Sequence, residues 1–129
     1  MPAMPKVLFV DDDADALRTL MVRMEPIFLT AQLHSVAPMQ HYVEQFRPQV
    51  LVLADHVRFR RQGARELVAK VRERGFKEPV VVLTDETRPG DEARWQEWGA
   101  NAVVLHPTRI EPRIDHLTQQ LAILSGLAS

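Results

Sequence analysis

Four stretches of the chain are unbroken apolar runs that stop abruptly at polar residues. Val7-Leu8-Phe9-Val10 runs into Asp11-Asp12-Asp13, and Val50-Leu51-Val52-Leu53-Ala54 into Asp55. Val80-Val81-Val82-Leu83 runs into Thr84-Asp85-Glu86, and residues 102–105 into His106-Pro107. Runs this short and this apolar predict strands buried on both faces. A fifth strand is expected over residues 27–33, where a mixed pattern leaves its limits soft. The intervening segments change to a helical period. Leu17, Leu20, Met21 and Met24 mark a helix over about residues 14–24, and Met39, Tyr42, Val43 and Phe46 one over 38–46. Leu67, Val68 and Val71 mark a third, over 64–74, followed by Gly75 as a carboxyl cap. A short fourth helix is expected over 91–98, before Gly99, and a last one over 111–124, with Ile114, Leu117, Leu121 and Leu124 on one face.

Strand and helix alternating five times predict one α/β domain: a parallel sheet covered on both faces by right-handed crossovers. In such folds ligands bind outside the carboxyl ends of the strands, where the strand order reverses. The residues at those ends are Asp11, Asp12, Asp13, Asp55, Thr84, Asp85 and His106.

Composition narrows the chemistry. The 129 residues suit a single domain spanning 1–129, with its core over about 6–124. A formal net charge of −1 gives no electrostatic reason to expect a nucleic-acid partner. No cysteine is present, which excludes disulfides, thiolate catalysis and cysteine-based zinc sites. Without a membrane-length apolar run or a signal-like start, the expected location is cytoplasmic.

If the first and third strands are neighbours, Asp11, Asp12 and Asp55 share a small volume. Crowded like charges raise one another's pKa unless a cation neutralises them. A hard divalent ion, Mg2+ above all, suits such oxygen donors together with a phosphate oxygen. Asp55 is the candidate nucleophile, because a carboxylate can accept a phosphoryl group covalently. Thr84 can hydrogen-bond an oxygen of that group, and His106 can offer a donor or, protonated, a cation. The scattered glycines form neither a dinucleotide nor a P-loop signature.

Taken together, Val-Leu-Phe-Val-Asp-Asp-Asp at 7–13, Val-Leu-Val-Leu-Ala-Asp at 50–55, Gly63, Pro-Val-Val-Val-Leu-Thr at 79–84, Gly99-Ala100 and Pro107 resemble a response-regulator receiver domain. The resemblance spans about residues 6–124. It implies a flavodoxin-like five-stranded parallel sheet in the order 2-1-3-4-5, with helices on both faces. It also implies phosphorylation on Asp55, Mg2+ held directly by Asp12 and Asp55, partly through water by Asp11, and by the Val57 carbonyl, and a switch hydroxyl at Thr84. The implied partners are a histidine kinase or phosphotransfer protein and a downstream protein, contacted through the face made by the fourth helix, fifth strand and fifth helix. Enzymatic activity would be limited to Mg2+-dependent self-phosphorylation from a phosphodonor and slow autodephosphorylation.

Four features, one of them a dipeptide, depart from the receiver pattern. His106 stands where the family has a lysine, so an imidazole, ordinarily titrating near about 6.5, replaces a permanent ammonium. Asp85 replaces a small residue, Arg58-Phe59 replaces Met-Pro, and Val103 replaces the switch aromatic. A second reading follows, a pseudo-receiver that works as an interaction module without phosphorylation. A third, a phosphatase using an aspartyl intermediate, needs a substrate cap for which the loops are too short. Arg58, Arg60, Arg61 and Arg65 form a basic cluster, read either as solvated surface or as a contact for a phosphodonor, nucleotide or acidic partner. Trp95 and Trp98, with the apolar stripe of the last helix, either cover the sheet or support a homodimer.

Overall fold

The computed structural model describes residues 4–34, 39–56, 63–107 and 110–127. Its elements follow in strict alternation: β1 (Lys6–Val10), α1 (Ala14–Met24), β2 (Leu29–Leu33), α2 (Met39–Phe46), β3 (Val50–Ala54), α3 (Ala64–Glu73), β4 (Val80–Thr84), α4 (Asp91–Glu97), β5 (Ala102–Leu105) and α5 (Glu111–Leu124). The strands form one sheet in the order β2-β1-β3-β4-β5, and every neighbouring pair is parallel. This is the flavodoxin-like arrangement, in which the chain reverses its direction of travel between β1 and β3.

The two-residue period of the strands divides the core into two layers. Val7 and Phe9 of β1, Val50 and Val52 of β3, and Val81 and Leu83 of β4 pack against Leu17, Leu20, Met21 and Met24 of α1 and Ile114, Leu117 and Leu121 of α5. Leu8, Val10, Leu51, Leu53, Val80 and Val82 face the other way, onto Met39 and Val43 of α2 and Leu67, Val68 and Val71 of α3. Both faces of the three central strands are thus dry, which explains their lack of polar alternation.

β2 differs from expectation. Its strand begins at Leu29, because Ile27 and Phe28 donate their amides to the Met24 carbonyl and belong to the turn that ends α1. Phe28 is buried beneath this turn, whereas Leu29, on the sheet edge, is about half exposed. An edge strand with one neighbour tolerates the polar residues that blurred its limits.

Arg72 closes the end of the molecule remote from the strand carboxyl ends. Its guanidinium donates to the carbonyls of Gly99, Phe76 and Glu78 at 3.0, 2.9 and 2.6 Å and to Asn101 Oδ1 at 2.8 Å. The same Asn101 oxygen accepts the first amide of β4, Val80, at 2.9 Å. Gly99 passes over this arginine with φ near +107°, and a Cβ there would lie 3.2 Å from Arg72 Cγ and 3.3 Å from Val68 Cγ1.

The tryptophans and the last helix serve the fold. Trp95 packs on the α3 side of the core, and Trp98 meets it edge to face at 5.1 Å between centroids. Arg65, expected in a basic cluster, lies over the Trp98 ring at 4.5 Å. Ile114, Leu117 and Leu121 are buried against the sheet and Leu124 is half buried. Arg58, Phe59, Arg60 and Arg61 lie outside the described residues.

Truncation of a side chain buried between two layers leaves a cavity, so Leu51→Ala is expected to cost about 2–5 kcal/mol in denaturant unfolding. Val22→Ala, on the exposed face of α1, is expected to stay within about 0.5 kcal/mol of the parent.

Candidate functional site

Each site residue is set by the strand it follows. The amides of Asp11, Asp55 and His106, one residue beyond β1, β3 and β5, continue the sheet ladder to Leu33, Leu83 and Thr84 carbonyls at 3.0, 2.8 and 2.7 Å. Val10 pairs with Leu53 and Ala54 with Leu83. Counting on from these pairs sets Asp12 level with Asp55, and Asp55 level with Thr84. The strand register therefore brings the predicted residues to one edge of the sheet.

Asp11 is at its centre, 1% exposed. Its Oδ1 accepts the Asp13 amide at 3.0 Å and His56 Nε2 at 2.8 Å, while Oδ2 accepts His106 Nε2 at 2.9 Å. His56 Nε2 also lies 2.9 Å from Asp12 Oδ1, so one imidazole N–H is shared between two carboxylates. The two imidazole rings flank Asp11 with centroids 6.5 Å apart. Burial by itself would raise the Asp11 pKa, but the His106 hydrogen bond, the Asp13 amide and the charges of both histidines outweigh it and hold the carboxyl below its ordinary range. His56 moves the other way: partial burial opposes its charge, yet the charges of Asp11 and Asp12 and the hydrogen bonds to them raise its pKa.

Asp13 turns away from this centre. Its side chain accepts the Ala16 amide at 3.1 Å and caps α1.

The remaining candidates fall around the cluster in unequal ways. Among the described residues, the group of three acidic or imidazole side chains with one ligand atom each, all within 4.8 Å of one another, is Asp11, Asp12 and His56. Asp55 stands beside this group rather than in it. Its side chain is half buried and, among the described residues, accepts no hydrogen bond. Thr84 is buried and donates its hydroxyl to the Glu86 carbonyl at 3.0 Å, within its own loop. His106 is 5% exposed and directed at Asp11. Val57 lies outside the described residues, and Asp85 is exposed.

His56 is the residue that sequence reasoning missed. Its one signal was its place immediately after Asp55, but beyond the end of a strand the two-residue period no longer tells which way a side chain points. The cluster fits a divalent cation in charge and convergence, with two carboxylate oxygens and an imidazole nitrogen facing one another.

No family model matches the chain, and no curated protein matches it. Solved structures do. The receiver domain of the Francisella response regulator 1452 superimposes with a TM-score of 0.82 at 18% identity, covering 97% of this chain and 99% of that one. The signal receiver domain of a putative LuxO repressor protein from Vibrio parahaemolyticus gives 0.82 at 13% identity over 97% and 92% of the two chains. The phosphorylated cyanobacterial phytochrome response regulator RcpA gives 0.79 at 14% identity over 98% of each. The fold is thus that of response-regulator receiver domains.

Two outcomes are expected of the histidines. In metal-free protein, His56 should titrate above the ordinary imidazole value of 6.5, and Asp12→Asn should lower it, as read by NMR of the ring protons. A raised folded-state pKa stabilises the fold fully below the ordinary imidazole range, and the contribution fades as pH rises through the folded value. The depressed Asp11 contributes above its ordinary range and loses that contribution as pH falls through its folded value, so the pair is most stabilising between the two. Separately, His106→Ala leaves Asp11 Oδ2 buried without this donor and should cost about 1–3 kcal/mol in denaturant unfolding, beyond any cavity.

Proposed function

We propose that this domain is a phosphoacceptor of two-component signalling: Asp55 accepts a phosphoryl group and the modified domain switches protein–protein contacts. The observation that carries this reading is the register of the strand ends, which sets Asp55 level with Asp12 on one side and Thr84 on the other, within a receiver fold.

In the reaction, an Asp55 carboxylate oxygen forms a bond to phosphorus while the donor's P–N or P–O bond breaks and its electron pair leaves with the donor. A divalent ion at Asp11 and Asp12, Mg2+ in the receiver pattern, would offset the charge of the incoming group. Thr84 must release the Glu86 carbonyl before its hydroxyl can donate to a phosphoryl oxygen. His106 is held on Asp11, so its contribution is to orient that carboxylate. The donor is a histidine kinase or a phosphotransfer protein, and small phosphodonors would substitute for it in vitro.

A dianionic group at Asp55 biases the surrounding loops by adding charge and acceptor oxygens. The downstream partner, or a second copy in a homodimer, is assigned to the α4-β5-α5 face. There Val103, Leu105, Pro112 and Arg113 border a groove of about 340 Å3. Among the described residues, no helix is long and apolar enough to cross a membrane.

One observation favours the second reading, an interaction module independent of phosphorylation. The buried Asp11 is already compensated by two imidazoles and a backbone amide, so the pocket is electrostatically satisfied without an added group.

Intact mass after incubation with acetyl phosphate or phosphoramidate and a divalent ion separates the two. An acid-labile gain of about 80 Da in the parent, absent from Asp55→Asn, is the expected result. Parent protein that binds the ion yet gains no mass would count against the phosphoacceptor and favour the phosphorylation-independent module.

A further inference from the structure

The receiver pattern implies an ion held by oxygen alone, and the side chains that converge here are different. His56 Nε2 lies 2.8 Å from Asp11 Oδ1 and 2.9 Å from Asp12 Oδ1. Metal–ligand bonds of about 2.1 Å at right angles separate neighbouring donors by about 3.0 Å, so the imidazole nitrogen has the spacing of a co-ligand to each carboxylate, and the three donor atoms all lie within 4.8 Å of one another. The His56 N–H presently occupies the position between the two carboxylates. Asp11 is further oriented by His106, which holds its second oxygen from behind at 2.9 Å, as outer partners of metal-binding carboxylates do. Asp12 and His56 are both partly exposed, which leaves the open side of the cluster accessible to an ion from solvent.

We propose that Asp11, Asp12 and His56 form a mixed oxygen and nitrogen site that selects a first-row transition ion, from Mn2+ to Zn2+, over Mg2+. This rests on the reading of the strand ends as a divalent-ion site and specifies the ion. The reason is ligand chemistry. Mg2+ is a hard ion that favours oxygen donors and keeps its waters, whereas imidazole suits the borderline ions of the first transition row. A nitrogen among the donors therefore adds affinity for those ions and little for Mg2+. Replacing the imidazole by an amide oxygen should return the site to the all-oxygen set that the receiver resemblance implies.

The test uses Mn2+ alone, with no phosphodonor. Binding is followed by loss of the free-ion EPR signal, with Mg2+ as competitor, in the parent and in His56→Asn; pulsed EPR of the bound ion reads any nitrogen in its coordination sphere. The expected parent result is a bound Mn2+ with imidazole nitrogen coupling. In His56→Asn, folding being checked by circular dichroism, the coupling should disappear and the preference for Mn2+ over Mg2+ should fall on the order of tenfold or more. Bound Mn2+ without nitrogen coupling in the parent would overturn the proposal, whatever the variant does. An unchanged ion preference in His56→Asn would overturn it equally. Neither result touches phosphorylation of Asp55, which is read by mass. Conversely, nitrogen-coordinated Mn2+ in a protein that gains no phosphoryl mass upholds the site and removes the phosphoacceptor reading alone.

Discussion

Asp11 is a carboxylate placed where water does not reach it, and a buried charge persists only if the protein supplies what the solvent would have. Three donors do so: the Asp13 amide and the imidazoles of His56 and His106. These donors come from different parts of the chain, the turn after β1, the residue after Asp55 and the end of β5. Satisfying one carboxylate thereby ties together the ends of the first, third and fifth strands. Strand register alone aligns Asp12, Asp55 and Thr84 at this edge; the Asp11 hydrogen bonds add a tie from β1 to the end of β5, which is not its neighbour in the sheet.

This arrangement changes the meaning of the departures from the receiver pattern. A lysine would bring a mobile ammonium on a long stem; His106 is short, buried and committed to Asp11. His56 brings a second imidazole to the opposite oxygen. Asp11 is thus flanked by two ring nitrogens, one on each oxygen. Thr84 is in a comparable state, its hydroxyl engaged with the Glu86 carbonyl and free to serve elsewhere only after that turn opens.

The far end of the domain is built by a parallel device. Arg72 gathers the carbonyls at the end of α3, the approach to β4 and the α4-β5 turn, and Asn101 passes the same interaction to the first amide of β4. Charged side chains at both ends thus hold loops against a sheet whose two core layers are apolar. Trp95, Trp98 and the α5 stripe contribute to the same end, covering the sheet and α3 rather than forming an exposed apolar surface.

By itself the sequence determined the alternation of elements, because buried parallel strands and amphipathic helices impose different periods that survive in the residue pattern. It also determined which residues reach the carboxyl edge, since a strand end is legible as the point where an apolar run stops. Asp11, Asp12, Asp55, Thr84 and His106 were all named in this way, and recognising the receiver pattern supplied the strand order. The start of β2 was not legible, because Ile27 and Phe28 close a helical turn although their types suit a strand. Nor was the partnership of His56, of His106 with Asp11, or of Arg65 with Trp98. Such pairings depend on the direction of side chains in loops and across elements distant in sequence, where no period constrains them, and only tertiary packing decides which donor meets a buried carboxylate.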